Sequence, residues 1–255
     1  MDVFASSGWV VMVVLVSIRF GALFVLAPVF GGVAMPAPFR ALFVLAMAAL
    51  MVAALRLPEP AGLPQDMVSL MVAALGEVAI GAAMAFGLFA AFGAFQFAGK
   101  MLDIQIGFSL GTVFDPATRT QTPLLGSALN MLALVLFFAL DGHHMLVRAV
   151  AHSLERLPPG NWPTHWTLTP FVEQFGLMFT FGLVLMAPVV FAVLLVEVGL
   201  GIVSRTMPQI NMFTVGIPTK IVVGMLVFAA SLPALGPVMA RVFKATFGYW
   251  QQIGG

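Results

Sequence analysis

The chain has no cysteine in its 255 residues, which excludes disulfides and cysteine-held metals. It is equally poor in charge: Asp, Glu, Lys and Arg make up 8% of the sequence, against about 25% in soluble domains. A water-soluble globule could not cover itself with so few charges when 61% of its residues are hydrophobic and the mean hydropathy is +1.08. The chain is therefore read as an integral membrane protein, or as a subunit embedded in an apolar assembly. Its formal net charge of +1 leaves no surplus for recruiting nucleic acid or steering anionic substrates. No Lys or Arg precedes Arg19, so the basic start of a cleavable signal peptide is missing and the first apolar stretch is expected to remain as a span.

Enzymatic signatures are missing too. There is no HExxH, nucleophile elbow or carboxylate dyad. Gly93–Met101 resembles a phosphate loop, but it has one residue too many before Gly99-Lys100, Met101 where Ser or Thr is required, and no preceding strand. His143 and His144 are adjacent, roughly 100° apart on a helix, and a poor pair for one metal. With Asp141 they read as a helix cap or an interface element, while His152 and His165 read as isolated loop residues. We expect no enzyme activity, no cofactor and no metal.

What is present is apolar sequence in six blocks: Trp9–Phe30, Phe39–Leu57, Met67–Ala98, Leu124–Val147, Phe171–Val203 and Phe213–Phe243. Their Leu, Ala, Val, Met and Phe suit helices, and no period-two alternation favours a barrel. Pro and Gly mark the breaks, and no composition shift separates independent domains, so 1–255 is expected to be a single all-α membrane domain. A span needs about 20 apolar residues. Block two offers only about 15 between Arg40 and Arg56, roughly 22 Å at the helical rise, and block three is too long for one straight crossing. Four or five conventional spans are expected. Lys and Arg divide five against five between alternate loops, so the positive-inside rule assigns no orientation. The 17 methionines are read as adaptable core filling, Trp162 and Trp166 as interfacial anchors, and the small residues around Gly81-Ala82-Ala83, Ala90-Ala91 and Gly93-Ala94 as sites of close helix approach.

Between blocks three and four lies Gly99–Pro123, which is neither a span nor an ordinary polar loop. Lys100, Asp103, Asp115 and Arg119 oppose burial in lipid, yet Ile104, Ile106, Phe108, Leu110, Val113 and Phe114 are too apolar for water. Gly107, Gly111 and Asp115-Pro116 imply backbone that bends and cannot continue as helix. Irregular backbone among membrane helices persists where it is buried in protein or lines a cavity, which makes this segment the first functional candidate.

Charges also occur within the apolar blocks. Arg19 lies mid-block, where an Arg costs about 2.5–3.5 kcal/mol on insertion scales. Glu77, Glu197, Arg205 and Lys220 are further cases. They suit either pairing of helix to helix or subunit to subunit, the favoured reading, or an ion relay in a transporter.

Four strings together resemble the FliR family of flagellar export-gate proteins: Leu26–Gly31; Gln105–Ser109 with Phe114-Asp115-Pro116; Asn130 with Leu140–His143; and Pro208–Lys220. Their order and spacing match across about residues 10–245. The injectisome counterpart shares the architecture, and Asp141-Gly142-His143 favours the flagellar branch. The resemblance implies bent helical hairpins that assemble with FliP- and FliQ-like subunits, partly displaced towards the periplasm, within the flagellar basal body of the bacterial inner membrane. It implies a FliP-like part over 1–160 and a FliQ-like hairpin over 161–255. It further implies a pore plug at Gly107, Phe108, Leu110, Gly111, Val113, Phe114, Asp115 and Pro116, with Lys100 and Asp103 framing it. Arg19, Glu77, Lys100, Asp103, Glu197, Arg205 and Lys220 become interface residues. The turn with Pro208, Gln209, Asn211 and Pro218 would face an FlhB-like component, with an FlhA-like component nearby. Unfolded secreted proteins would be the substrate and membrane lipid the surroundings, with no nucleic acid. The rival readings are an injectisome subunit and an ion-coupled small-molecule transporter using Arg19, Glu77 and Glu197.

Overall fold

The computed structural model describes residues 7–31, 35–57, 66–108, 123–162, 166–207 and 212–253. Among the described residues every regular element is an α-helix: α1 Ser7–Leu26, α2 Pro28–Gly31, α3 Ala37–Leu55, α4 Met67–Ile106, α5 Leu124–Ala139, α6 Gly142–Arg156, α7 Thr169–Thr206 and α8 Met212–Ile253. The all-α membrane fold read from composition is the fold observed. Five helices (α1, α3, α4, α7 and α8) are long and apolar enough to cross a membrane, or six if the α5–α6 pair is one span.

Block boundaries and helix boundaries differ in three places. α4 does not stop at Ala98 but runs 40 residues to Ile106, about 60 Å if straight and twice the hydrocarbon thickness. The segment Gly99–Ile106, expected to be irregular, is therefore helical. The stop is Gly107, whose φ of 102° is the left-handed geometry that ends helices, its N–H still bonded to the Asp103 carbonyl at 3.2 Å. Block four is broken at Leu140-Asp141, where Asp141 adopts φ 55°, and α6 continues to Arg156, well beyond Val147. Pro218, expected in a turn, lies inside α8; Pro188, Pro233 and Pro237 are likewise within helices. Neighbouring groups in a membrane bundle re-satisfy the backbone that such prolines free.

The chain forms two compact units. The first comprises Met1–Ala90, Asp141–Gln174 and Lys244–Gly255; the second comprises Ala91–Leu140 and Phe175–Phe243. In the first, Phe20, Phe24, Phe30 and Phe43 pack α1 against α2 and α3, with Phe24 and Phe30 centroids 4.2 Å apart. The C-terminal turns of α8 lie on α4. Tyr249 Oη donates to the Ala83 carbonyl and Trp250 Nε1 to that of Met84, both at 2.9 Å, and Gln174 Nε2 reaches the Gly87 carbonyl and Thr246 Oγ1 at 3.3 Å. A helix carbonyl has a second lone pair for such bonds, and glycine and alanine let the donors approach. A Cβ on Gly87 would lie 2.8 Å from the Tyr249 ring.

The second unit is centred on Phe92, Phe95, Phe137 and Phe243, all buried, with ring centroids 5.6 to 6.2 Å apart. α7 approaches α4 at Gly182, where a Cβ would be 2.6 Å from the Phe97 ring. The helices are unequally covered: 67% of the apolar window of α4 is buried, but only 22% of that of α7 and 17% of that of α8.

Candidate functional site

In the first unit, Arg19 of α1 and Glu77 of α4 form a fully buried pair. Arg19 Nε donates to Glu77 Oε2 at 2.6 Å and Nη2 to Oε1 at 3.1 Å, the bidentate geometry that makes such pairs strong. Two further donors are placed too: Nη1 reaches Ser153 Oγ at 3.1 Å and Nη2 the Leu157 carbonyl at 2.9 Å. Glu77 Oε1 also accepts the Gly160 N–H at 2.9 Å. Gly160, at φ 90°, supplies the positive φ that this loop requires. Glu77 and Gly81 are one turn apart on the same face of α4. A Cβ on Gly81 would lie 2.3 Å from the Arg19 carbonyl oxygen, so the missing side chain is what brings the charges within reach. The network joins α1, α4, α6 and the following loop, and it leaves neither charge at the surface of the chain.

In the second unit, the base of the 107–123 segment is clamped. α5 opens on Pro123, which caps with no side chain. Its free N–H groups are met instead by Asp103, one turn before the end of α4. The Leu125 N–H bonds to Oδ1 at 3.0 Å and the Gly126 N–H to Oδ2 at 3.1 Å. A carboxylate at a helix N-terminus satisfies orphan donors and complements the dipole. One turn earlier on α4, Gly99 approaches Gly126 so closely that a Cβ would lie 2.3 Å from its Cα. Asp103 is buried, Gly107 and Phe108 are half-buried, and Lys100 is exposed beside a small polar cleft with Gln96, Ser127 and Asn130. Leu110, Gly111, Val113, Phe114, Asp115 and Pro116 lie outside the described residues.

The remaining candidates are in the same unit. Lys220 Nζ donates to Glu197 Oε1 between α8 and α7, partly exposed. Arg205 is exposed in the last turn of α7, where a cation suits the dipole. Pro218 is exposed on α8, while Pro208, Gln209 and Asn211 lie outside the described residues. In the first unit, Asp141 does occupy the N-cap position of α6, although its side chain bonds to His144 Nδ1 at 3.2 Å and not to backbone. The expectation that His143 and His144 point apart is corrected. Their ring centroids are 4.1 Å apart, and with Asp141 their ligand atoms lie within 4.8 Å of one another.

Residues 10–246 match the family described as bacterial export proteins, family 1. The chain belongs to this family. Among similar family members, the flagellar biosynthetic protein FliR of Bacillus subtilis is 31% identical over 236 residues, 91% of this chain and 90% of its own length. The protein of the same name from Escherichia coli is 32% identical over 175 residues, 68% of this chain and 67% of its own length. The secretion system apparatus protein SsaT of Salmonella typhimurium is 29% identical over 170 residues, 62% of each chain. The resemblance carried by the four strings is thereby shown, and the chain is a membrane protein of bacterial protein export.

For this export-family protein, sequence reasoning isolated Arg19, Glu77 and Asp103 but not what holds them. Ser153, the Leu157 carbonyl and Gly160 were missed because they lie in what looked like a loop. The repeat Leu146, Val150, Leu154 at intervals of four was the available signal for α6. Gly126 carried no signal of its own, since its partner Gly99 is 27 positions away.

Proposed function

We propose that the chain is a noncatalytic subunit of a flagellar type III protein export gate in the bacterial inner membrane. It forms the conduit for unfolded substrates with FliP- and FliQ-like subunits, beside FlhB- and FlhA-like components. In this reading residues 1–160 act as the FliP-like part, 161–255 as the FliQ-like hairpin, and Gly107–Pro116 as a plug. The observation that carries it is the Asp103 clamp. A retractable obstruction needs mobile apolar bulk on a fixed base, and the carboxylate bonds to Leu125 and Gly126 fix both ends of the 107–123 segment. Phe108, Leu110, Val113 and Phe114 then supply a dewetted constriction. The poorly covered α7 and α8 supply apolar surface for neighbouring subunits, with Arg205 and the Glu197–Lys220 pair at its edge. The turn around Pro208, Gln209 and Asn211 serves the FlhB-like partner.

The similarity to SsaT keeps the injectisome subunit as a second reading. The ion-coupled transporter loses its central element, because all three nitrogens of Arg19 and both oxygens of Glu77 are already engaged within the chain. The test is to delete Gly107–Phe114 and reconstitute the assembled complex. Assembly should persist while ion conductance rises; unchanged conductance removes the plug. Copurification with two smaller helical membrane proteins is expected, and a monodisperse monomer that moves a solute sinks the gate reading.

A further inference from the structure

Helix α6 buries Leu146, Val150, Ser153 and Leu154 and directs Arg148, His152 and Arg156 outward at intervals of four. These three form one wall of a cleft of about 530 Å³. The other wall is the last turns of α8, with Phe247, Trp250 and Gln251. Trp250 is buried and gives its Nε1–H to the Met84 carbonyl, so it offers the cleft a ring and not a donor; Phe247 lies against it at 5.6 Å. The floor is therefore aromatic and the rim cationic. The carboxylate of Glu155, exposed, lies 4.0 Å from His152 Nδ1. Among the described residues, neither Arg148 nor Arg156 has a carboxylate within 4.0 Å.

Two guanidinium groups with no carboxylate within 4.0 Å among the described residues, two turns and about 12 Å apart along one helix, call for an anion longer than a single small ion. Guanidinium matches phosphate oxygens in bidentate fashion. The cleft also lies at the C-terminal end of a helix apolar enough to cross a membrane. That is the level at which aromatic rings and basic residues meet headgroups. A helix with one apolar and one basic face has the composition of an interfacial element. We propose that this cleft binds an anionic phospholipid: Arg148 and Arg156 hold headgroup phosphate oxygens, Gln251 donates from the rim, and the glycerol and upper acyl carbons lie on Phe247 and Trp250. The proposal is independent of the export-gate reading.

The test is native mass spectrometry of the purified full-chain assembly titrated with phosphatidylglycerol or phosphatidylcholine. Phosphatidylglycerol should be retained preferentially. R148Q and R156Q should each weaken its retention roughly fivefold, and together about 30-fold, whereas R148K/R156K, which keeps the charge but not the bidentate fork, should fall between wild type and R148Q/R156Q. Equal retention of the two lipids by the wild-type assembly overturns the proposal, and this comparison needs no variant to fold. Displacement of the lipid by millimolar inorganic phosphate would mark a small-anion site and also overturn it. So would an undiminished lipid signal in R148Q/R156Q, or retention of an acidic protein segment in place of lipid.

Discussion

The buried Arg19–Glu77 pair sets up a double-mutant cycle with an unequal outcome. Glu77→Gln keeps the shape but leaves Arg19 charged with no counter-ion, its acceptors reduced to the amide oxygen, Ser153 Oγ and the Leu157 carbonyl. Removing one partner of a buried pair costs about 3–5 kcal/mol. Arg19→Met should cost about as much, because it strands the carboxylate of Glu77 with the single Gly160 N–H. The combined R19M/E77M variant removes both charges, and exchange of a buried pair for apolar volume is often neutral in itself. It still orphans the Leu157 carbonyl and the Gly160 N–H, at about 1–3 kcal/mol each. The double variant should therefore be no worse than either single one, giving a coupling energy of about 3–5 kcal/mol, as large as a single loss. Unfolding of the purified chain in detergent, followed by circular dichroism, measures all four corners. Single variants within about 0.5 kcal/mol of wild type, the range of inconsequential surface changes, would refute the claim that the pair is buried and satisfied within one chain.

Asp103→Ala should cost about 1–2 kcal/mol, as loss of a helix cap does, and should raise ion leakage through the assembled complex; D103N, which keeps one acceptor, should leak less, as read by conductance in planar bilayers. Gly81→Val and Gly99→Val should each block folding of the chain, since their Cβ atoms would sit 2.3 Å from backbone; recovery of either from membranes at wild-type levels would be the contrary result. Glu197→Gln should change stability by less than about 1 kcal/mol, an effect that fades with added salt, because the pair is partly exposed.

Much of the fold was legible because hydrophobic length reports directly on membrane helices. The start of α4 at Met67 and the extent of α3 were read to within two residues. The failures have a shared cause. Lys100 and Asp103 looked like signs that α4 must end, yet Lys100 is exposed and the carboxylate of Asp103 is hydrogen-bonded by backbone donors 22 and 23 positions further on. Asp141 looked like the close of an apolar block, whereas its left-handed φ starts a second helix with its own period. Pro218 read as a turn because proline breaks helices in water, a rule that weakens among packed membrane helices. Arg19 and Glu77 were recognised as needing partners. That they choose each other depends on Gly81, a small residue whose role appears only when α1 is laid across α4.

The same pair has a consequence in time. Arg19 is synthesised 58 residues before Glu77, and 134 before Ser153. At ~5–20 residues per second, the first delay alone lasts roughly 3–12 s. For that interval α1 holds a guanidinium with no counter-ion, at a cost of about 2.5–3.5 kcal/mol, and only its own apolar residues offset it. Newly made α1 is therefore a provisional span, seated by greasiness first and fastened by charge once α4 and α6 have left the ribosome.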